Sequence, residues 1–336
     1  MRKILLDESK KFYRGNMHCH STLSDGYFTP EELKELYKSR GYSFLAITDH
    51  EHFNNNSYLD DEDFITLTSA EFAIKEFPKE STLKNFNMKV CHLNFYAKKQ
   101  DNDYTFCYSS LADHFSKPER RAQINRPAED QIRRYGHEGI SALIKEANEQ
   151  GFFVCYNHPR WSLENYADYS GYEGLWGVEI YNHACNVDGL YEYDINVLDD
   201  MLRDGKRIFA SSGDDNHNRG GRLLESFGTS VYVNAESLSF DNIVNGLLRG
   251  EFYSSTGPLI YSLYVEDGRV HVKSSDAKKI CYSTRGRRAV AVCADEGDVL
   301  TSASFEIRES DEYFRIDVVD DKGQRANTQA YFVDEI

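Results

Sequence analysis

The sequence predicts an α/β fold followed by a small all-β region, and three observations support this. Up to about residue 258, apolar runs typical of strands alternate with amphipathic helical patterns, as in an α/β sheet or barrel. After Gly257-Pro258 the helical period disappears, and short strand-like runs alternate with turn pairs such as Asp267-Gly268. A polar stretch of about residues 98–138 interrupts the first pattern, and we interpret it as an insertion that could face a substrate.

The strands predicted in the first region are short apolar runs. They are Phe44–Thr48, Phe64–Thr68, Met88–Phe95, Phe152–Tyr156, Gly177–Tyr181, Arg207–Ala210 and Ser230–Val233. The clearest helix follows Thr29 as N-cap, with Pro30 at its first position and Glu32 completing a capping box. Three further helices are predicted over Gly139–Gly151, about Ile195–Arg203 and about Leu238–Leu248. This alternation predicts parallel strands joined by crossover helices.

The sequence divides at residue 258 into an α/β domain, 1–258, and a small all-β, sandwich-like domain, 259–336. The strands predicted in the second are Tyr261–Val265, Val270–Lys273, Ile280–Ser283, Ala289–Cys293, Ala303–Ile307, Phe314–Val319 and Ala330–Val333. This domain could bind carbohydrate, mediate dimerisation or only cover one end of the α/β domain. The sequence does not decide between these roles, nor does it give the oligomeric state.

Composition excludes several classes of partner. The 336 residues carry 39 basic and 55 acidic side chains, a formal net charge of −16, so a stable nucleic-acid or anionic-membrane partner is not expected. The chain has no apolar stretch long enough to span a membrane, and the apolar run near its N-terminus is too short for a signal peptide. The seven cysteines form no C-x-x-C pair, which is typical of reduced thiols. We therefore predict a cytoplasmic protein.

Nine histidines and acids are candidate ligands, and nearly all of them fall in or just after apolar strand runs. They are His18, His20, Asp25, His50, Glu71, His92, His158, Asp215 and His217. A single histidine after a strand is more often an ordinary core residue, but the ends of parallel barrel strands converge on one face, where active sites lie. Imidazoles with carboxylates suit Zn²⁺, Mn²⁺ or Fe²⁺. Because nine groups are too many for one ion, we predict two or three divalent metal ions.

The segment GNMHCHSTLSDGYFTPEELKELYKSRGYSFLAITDHEHF resembles the start of the PHP (polymerase and histidinol phosphatase) superfamily, and the later motifs follow in the same order over about residues 15–258. The resemblance implies a distorted (β/α)7 barrel with a three-metal centre. The first ion would be held by His18, His20, Glu71 and Asp215, the second by Asp25, His50 and His217, and the third by His92, His158 and the shared Glu71. Asp215 is preferred to Asp214 because a D-x-H motif places both groups on one side of an extended segment.

The resemblance implies hydrolysis of a phosphoric ester, either a small phosphorylated metabolite or a nucleotide, by a metal-bridging hydroxide. A carboxylic ester, carbamate or amide hydrolase with the same centre is the first alternative. A non-catalytic, metal-bound binding module is the second. Cationic side chains around the site would favour a phosphate substrate, and an apolar pocket would favour the first alternative.

Several further residues are candidates for catalysis or substrate binding, each with a plainer interpretation. Arg160 would clamp a phosphate, or would pack on the surface against Trp161. Asp49 would orient a ligating histidine, or would cap a strand. Glu179, Asn182 and His183 follow a predicted strand and would line the substrate side, or would be ordinary polar residues of the barrel. We interpret Arg120, Arg121, Arg133 and Arg134 as parts of a solvated loop, and His52, His114, His137 and His271 as ordinary residues.

Overall fold

A computed structural model describes residues 2–77, 87–116, 118–191 and 193–336. Within the predicted insertion, about residues 98–138, only residue 117 lies outside the described residues. Helices are few and peripheral. In chain order they are α1 Pro30–Ser39, α2 Pro118–Arg121, α3 His137–Glu149, α4 Tyr166–Tyr169, α5 His183–Val187, α6 Ile195–Arg203 and α7 Phe240–Leu248.

Helix α1 begins as its sequence predicts. The Thr29 hydroxyl accepts a hydrogen bond from the backbone N–H of Glu32, and the Glu32 carboxylate accepts one from the backbone N–H of Thr29. This reciprocal capping satisfies two N–H groups that the first turn of a helix leaves unpaired. The four main predicted helices are all confirmed, with ends shifted by two residues at most.

Strands dominate the described residues. In chain order they are β1 Lys3–Leu6, β2 Lys11–Asn16, β3 Phe44–Ala46, β4 Ile65–Leu67, β5 Ser69–Lys75, β6 Val90–Ala97, β7 Phe152–Tyr156, β8 Gly177–Asn182, β9 Phe209–Gly213, β10 Ser230–Ala235, β11 Phe252–Ser255, β12 Ile260–Glu266, β13 Arg269–Ala277, β14 Lys279–Thr284, β15 Ala289–Cys293, β16 Leu300–Glu306, β17 Tyr313–Val319, β18 Arg325–Thr328 and β19 Tyr331–Phe332. The mixed α/β class is thus confirmed. The apolar run that ends before Glu71 proves to be two strands, with Glu71 inside β5 rather than after it.

The strands of the first region are divided between two sheets. One sheet has the order β5-β6-β7-β8-β9, and the other contains the path β11-β10-β2-β3-β4. Pairing is parallel within β2-β3-β4 and β7-β8-β9, but β6 is antiparallel to both of its neighbours. Strand β10 is also antiparallel to both of its neighbours, β2 and β11. The prediction of uniformly parallel strands is therefore wrong at β6 and at β10, and a single closed (β/α)7 barrel is not confirmed among the described residues.

One apolar core lies between these two sheets. It joins Phe44 of β3 and Val231 of β10 with Phe153 of β7, and all three side chains are buried. A second core packs the outer face of the five-stranded sheet against helices α3 and α6, through Ile144 and Leu198 among others. The two faces of the five-stranded sheet are thus covered by different elements, as in other α/β folds.

The C-terminal strands continue the larger sheet. Strand β18 pairs with β11, and the sheet then extends through β17 and β14 to β15. A separate sheet, β1-β12-β13-β16, packs on this extension over a core that includes Leu263 and Ile316. The first strand of the chain therefore belongs to the C-terminal sandwich. The division of the chain at residue 258 stays a prediction.

Helix length and hydropathy bear on one more expectation. None of the helices in the described ranges is both long enough and apolar enough to cross a lipid bilayer.

Candidate metal centre

The nine predicted metal ligands lie together where β2, β3, β7 and β9 end and where β5 and β6 run side by side. We call these nine residues, His18, His20, Asp25, His50, Glu71, His92, His158, Asp215 and His217, the donor cluster. Seven of them expose less than a tenth of their surface, and Asp25 and His217 are half-buried. The two sheets thus bring together residues that are up to nearly two hundred positions apart in the sequence.

Glu71 is the centre of the cluster. Its Oε1 atom lies 3.0 Å from His92 Nδ1, 3.2 Å from His158 Nε2 and 3.4 Å from His18 Nε2. Its Oε2 atom lies 3.2 Å from His50 Nδ1. One buried carboxylate thus faces imidazoles that come from four different strands or strand ends.

The two aspartates complete the cluster on either side of His20. Asp215 Oδ1 lies 3.0 Å from His20 Nε2. Asp25 Oδ1 lies 3.4 Å from His217 Nε2 and 3.6 Å from His50 Nε2. The two carboxylates therefore serve different sets of histidines.

Three groups within the cluster have donor atoms that all lie within 4.8 Å of one another. They are His18, His20, Glu71 and Asp215; His20, Asp25, His50 and His217; and Glu71, His92 and His158. Their composition follows the division implied by the family resemblance, except that His20 belongs to two groups. Its ring is stacked against His217 at a centroid distance of 4.2 Å, so it stands between the first two groups.

The residues present fit divalent cations. Two buried atoms of the cluster, His20 Nδ1 and Glu71 Oε2, make no hydrogen bond among the described residues, since the 3.2 Å contact of Glu71 Oε2 with His50 Nδ1 lacks the geometry of one. Buried polar atoms are rarely left in this state, and each one costs free energy unless a partner arrives. An imidazole nitrogen and a carboxylate oxygen are the donor types that Zn²⁺, Mn²⁺ and Fe²⁺ accept.

The protein alone distributes protons unevenly over the cluster. Burial disfavours the charged form of Glu71, but the charges of His92 and His18 outweigh it and hold its pKa well below the usual range. Burial likewise opposes protonation of His158, yet its hydrogen bond to Glu71 and the charge of Asp215 raise its pKa to about 9. His20 behaves oppositely, because burial and neighbouring imidazoles lower its pKa to about 4.

Two donors have an uncommon backbone conformation. Asp215 has φ = 52° and His158 has φ = 24°, both in the region that non-glycine residues seldom adopt. The expectation of an extended D-x-H segment is therefore wrong, although Asp215 does point into the cluster. Asp214 points away from it and accepts hydrogen bonds from the Tyr37 hydroxyl and from the backbone N–H groups of residues 227–229.

Glu179 and Asn182 contact the donors rather than the cavity. Glu179 Oε1 lies 3.0 Å from His18 Nδ1. The amide of Asn182 donates to Glu179 and, over 3.0 Å, to Asp215. Such contacts fix the orientation of a ligand. His183 is instead hydrogen-bonded to Tyr181, with a distance of 3.1 Å between His183 Nδ1 and the Tyr181 hydroxyl oxygen. None of the three predicted substrate-binding residues is among the residues that line the cavity.

Asp49 organises a loop. Its carboxylate is fully buried and accepts hydrogen bonds from the backbone N–H and hydroxyl of Ser21 and from the hydroxyl of Ser24. These residues flank His20 and precede Asp25. Asp49 therefore positions the loop that carries two donors, and it is not among the residues lining the cavity.

A cavity opens above the donor cluster. Besides the donors and a few small residues, the lining contains three acids, Glu51, Asp188 and Glu225, and five side chains that we call the outer wall: Lys75, His114, Phe115, Trp161 and Arg219. Lys75 Nζ donates to His114 Nε2 over 3.1 Å. Phe115 stacks on the ring of His50 at 4.8 Å, and Trp161 lies 4.9 Å from the ring of His92. Arg160, the predicted phosphate clamp, is exposed and does not line the cavity.

The insertion supplies part of the outer wall and is anchored by a buried ion pair. Arg133 Nη1 lies 2.6 Å from Glu51 Oε2, with both side chains almost fully buried. Arg133 also donates to the backbone oxygens of Cys107 and Ala73. The interpretation of Arg133 as part of a solvated loop is therefore wrong, because Glu51 and strand β5 provide partners from outside the insertion.

Several residues that line the cavity were not predicted from the sequence. Lys75 carries a usable signal, since Glu71, Ala73 and Lys75 alternate along β5 and so share one face of the strand. His114 and Phe115 carry none, because nothing local in an irregular polar segment indicates which side chain turns towards a distant cavity.

Comparisons with known proteins were made for the sequence and for the structure. No protein-family model matches the chain. A segment of 40 residues is 45% identical to the DNA polymerase/3'-5' exonuclease PolX of Bacillus subtilis strain 168, and it spans 12% of the chain and 7% of that protein.

Three solved structures are similar to the chain. A two-domain protein from Bacteroides vulgatus that contains a predicted PHP-like metal-dependent phosphoesterase is 13% identical, with a TM-score of 0.45 and 96% of each chain covered. A candidate metal-dependent phosphoesterase from Bifidobacterium adolescentis is 15% identical, with a TM-score of 0.36 over 61% of this chain and 88% of that one. An amidohydrolase from Chromobacterium violaceum, solved with sulfate and without metal, is 15% identical, with a TM-score of 0.40 over 71% and 96%. Two of these structures are thus described as containing PHP-like or metal-dependent phosphoesterases, the class that the motifs of this chain predict.

Proposed function

We propose that the chain is a metal-dependent hydrolase of phosphate esters, acting on a small phosphorylated metabolite or nucleotide. The observation that carries this proposal is the position of the donor cluster at the floor of a cavity whose outer wall holds the cations Lys75 and Arg219. A phosphate ester is negatively charged, so it requires positive charge both at the donor cluster and at the outer wall. The chain as a whole has a net charge of −16, and Glu51, Asp188 and Glu225 also line the cavity, so bound metal ions together with Lys75 and Arg219 would decide the sign of the substrate.

The nine residues of the donor cluster would hold two or three divalent ions, of which Zn²⁺, Mn²⁺ and Fe²⁺ suit the donors. Bound ions would lower the pKa of a coordinated water to about 7 and neutralise charge on the phosphoryl oxygens. Glu71, which belongs to two of the three groups, would be the shared ligand. Glu179 would keep His18 in the orientation that its contact defines.

The outer wall would bind and shield the substrate. Lys75 is almost buried, and burial lowers its pKa, so a nearby anion would be its natural partner. Arg219 offers a planar guanidinium that matches two phosphate oxygens at once. Phe115 and Trp161, both exposed apolar side chains beside donor histidines, would exclude water from the reacting end of the substrate.

A hydrolase of carboxylic esters, carbamates or amides is the second candidate. The aromatic side chains of Phe115 and Trp161 and the small side chain of Ala112 give the cavity an apolar part that a neutral substrate would fill. In that case Lys75 would serve only to hold His114, and its removal would leave turnover largely unchanged.

Elemental analysis of the purified protein, followed by a substrate panel, tests the proposal. We expect two or three equivalents of a transition metal. We also expect hydrolysis of phosphomonoesters or phosphodiesters that is lost with a chelator and regained on adding the metal. Activity on carboxylic esters with none on any phosphate compound would favour the second candidate. Stoichiometric metal with no hydrolysis of either class would favour a non-catalytic binding module.

A further inference from the structure

Strand β15 closes one end of the largest sheet, and its composition differs from that of the other sheet-terminal strands. It reads Ala-Val-Ala-Val-Cys and all five residues are exposed. The terminal strands β4, β5 and β9 are largely buried, β1 begins with a lysine, and β16 ends with a glutamate. Proteins commonly protect an open edge with charge, proline or a bulge, since unpaired backbone groups there recruit other strands. Strand β15 has none of these within its bounds.

The hydrogen-bonding side of β15 follows from its pairing with β14. Ala294 donates its backbone N–H to Lys278 O, and the register pairs Ile280 with Val292 and Tyr282 with Val290. Hydrogen-bonded and non-hydrogen-bonded pairs alternate in an antiparallel ladder. The N–H and C=O groups of Ala289, Ala291 and Cys293 therefore point away from β14, towards the open edge.

The side chains of β15 also leave an apolar face incomplete. Val290 and Val292 share a face with Tyr282 and Ile280, which are fully buried in the core of the C-terminal sandwich. The two valines are nevertheless 41% and 37% exposed. A further strand placed beside β15 would cover them and would extend this core.

The charges that flank β15 are arranged with opposite signs at its two ends. Arg285, Arg287 and Arg288 precede the strand, and Asp295, Glu296 and Asp298 follow it. When the strand is laid antiparallel against itself with Ala291 at the centre, Ala289 faces Cys293 and Val290 faces Val292. The next outward pair is Arg288 with Ala294, and the one after it is Arg287 with Asp295, both exposed. A strand with this order of charges is complementary to its own copy.

We propose that β15 is a homodimerisation edge, at which two copies of this chain pair antiparallel around Ala291 and join their largest sheets into one. The pairing is isologous, since the same residues contribute on both sides. Six backbone hydrogen bonds, two Arg287–Asp295 pairs and the covered valines hold it together. Five-residue strands bury little area, so the equilibrium depends on protein concentration.

Sedimentation velocity over a wide concentration series tests the pairing with the full-length chain. We expect reversible dimerisation of the wild-type protein. Arg287→Asp faces Asp295 of the other copy with a like charge and should weaken the dimer by about a hundredfold. Arg287→Asp combined with Asp295→Arg should restore it. Lys145→Asp, an equal change of charge on an exposed face of α3, is the matched control and should have no effect.

Ala291→Pro tests the backbone hydrogen bonds separately. Proline there removes an N–H that points to the open edge, so the fold should persist, as the far-UV circular dichroism spectrum would show, while the dimer is lost. A protein that stays monomeric at all concentrations would overturn the proposal. So would a dimer that is unaffected by both Arg287→Asp and Ala291→Pro, or a folded charge-swap variant that stays monomeric. Phosphatase activity is a separate readout, because β15 contributes nothing to the cavity.

Discussion

The donor cluster and the outer wall meet in one cavity but are built in opposite ways. The donors come from strands and strand ends, form groups whose ligand atoms lie within 4.8 Å of one another, and are mostly buried. The wall comes from one strand, an irregular insertion and loops, and its aromatic side chains Phe115 and Trp161 are 38% and 41% exposed. Strands and strand ends thus hold the donors in place, while the insertion and the loops line the approach to them.

This difference has a consequence for substitutions. A change in the donor cluster removes a partner from several neighbours at once, because Glu71 alone faces four imidazoles at 3.4 Å or less. A change in the outer wall removes one contact to the substrate and leaves the cluster intact. The predictions below separate the two regions by measuring metal content, stability and steady-state kinetics side by side.

The largest effect is expected from Glu71→Gln. The amide keeps the shape of the side chain but removes the charge that the surrounding histidines share, so metal should fall to background and turnover by about 10³-fold or more. Glu173→Gln, on the protein surface, is the control. Full metal occupancy in Glu71→Gln would contradict the central position given to this residue.

Arg133→Met should destabilise the protein by about 3 kcal/mol, because it leaves the buried Glu51 carboxylate without its partner. Denaturant unfolding measures this loss. Metal content should be unchanged, and the Michaelis constant should rise, since the insertion carries His114 and Phe115. A variant as stable as the wild-type protein would show that the insertion is held by other contacts.

Glu179→Gln should weaken metal binding by about 10- to 100-fold through the loss of orientation at His18. A competition titration with a chromophoric chelator gives this ratio directly. If Glu179 bound substrate instead, the Michaelis constant would change and the metal affinity would not.

Lys75→Met should raise the Michaelis constant for a phosphate ester by about tenfold, the scale of one charge-assisted hydrogen bond. Arg160→Ala is the matched loss of a cation outside the cavity and should leave the kinetics unaltered. The reverse outcome, with Arg160 sensitive and Lys75 silent, would restore the clamp predicted from the sequence.

The smallest expected effect is a change in the stability of the metal-free protein with pH. His158 and His217 each have a pKa raised from 6.5 to about 9 in the folded chain, because carboxylates outweigh the opposing effect of burial. Their stabilisation is complete below pH 6.5 and is lost as the pH rises through 9. The melting temperature of the metal-free protein should therefore fall by several degrees from pH 7 to pH 9. The metal-loaded protein, whose ligands must be deprotonated, should change less.

Sequence reasoning reached the donor cluster because its residues have a local signature. His50, His158 and Asp215 follow strongly apolar runs, and the topology of a sheet brings such ends together. The choice of Asp215 over Asp214 stays a prediction, but the reason given for it is wrong, since the segment turns through a left-handed residue rather than running extended. Local pattern thus identified the residues, but not the backbone that presents them.

The outer wall and the positioning residues were missed or misassigned for a physical reason. Whether Glu179 faces a substrate or a histidine depends on a neighbour 161 positions away along the chain. The burial of Arg133 depends on Glu51, which lies outside the insertion. The antiparallel course of β6 depends on pairing with β7 across the whole insertion. Each of these outcomes is a tertiary effect that no window of sequence contains.

The two ends of the chain share one sandwich, and this limits how the protein can be divided. Strand β1 pairs with β12, and β11 pairs with β18. Cutting the chain at Pro258 would remove the strand that pairs with β1 and would expose the buried edge of β11 to solvent. The α/β half is therefore not expected to fold on its own. We expect calorimetry to show one cooperative melting transition, and the C-terminal strands to be inherited or lost together with the rest rather than exchanged between genes.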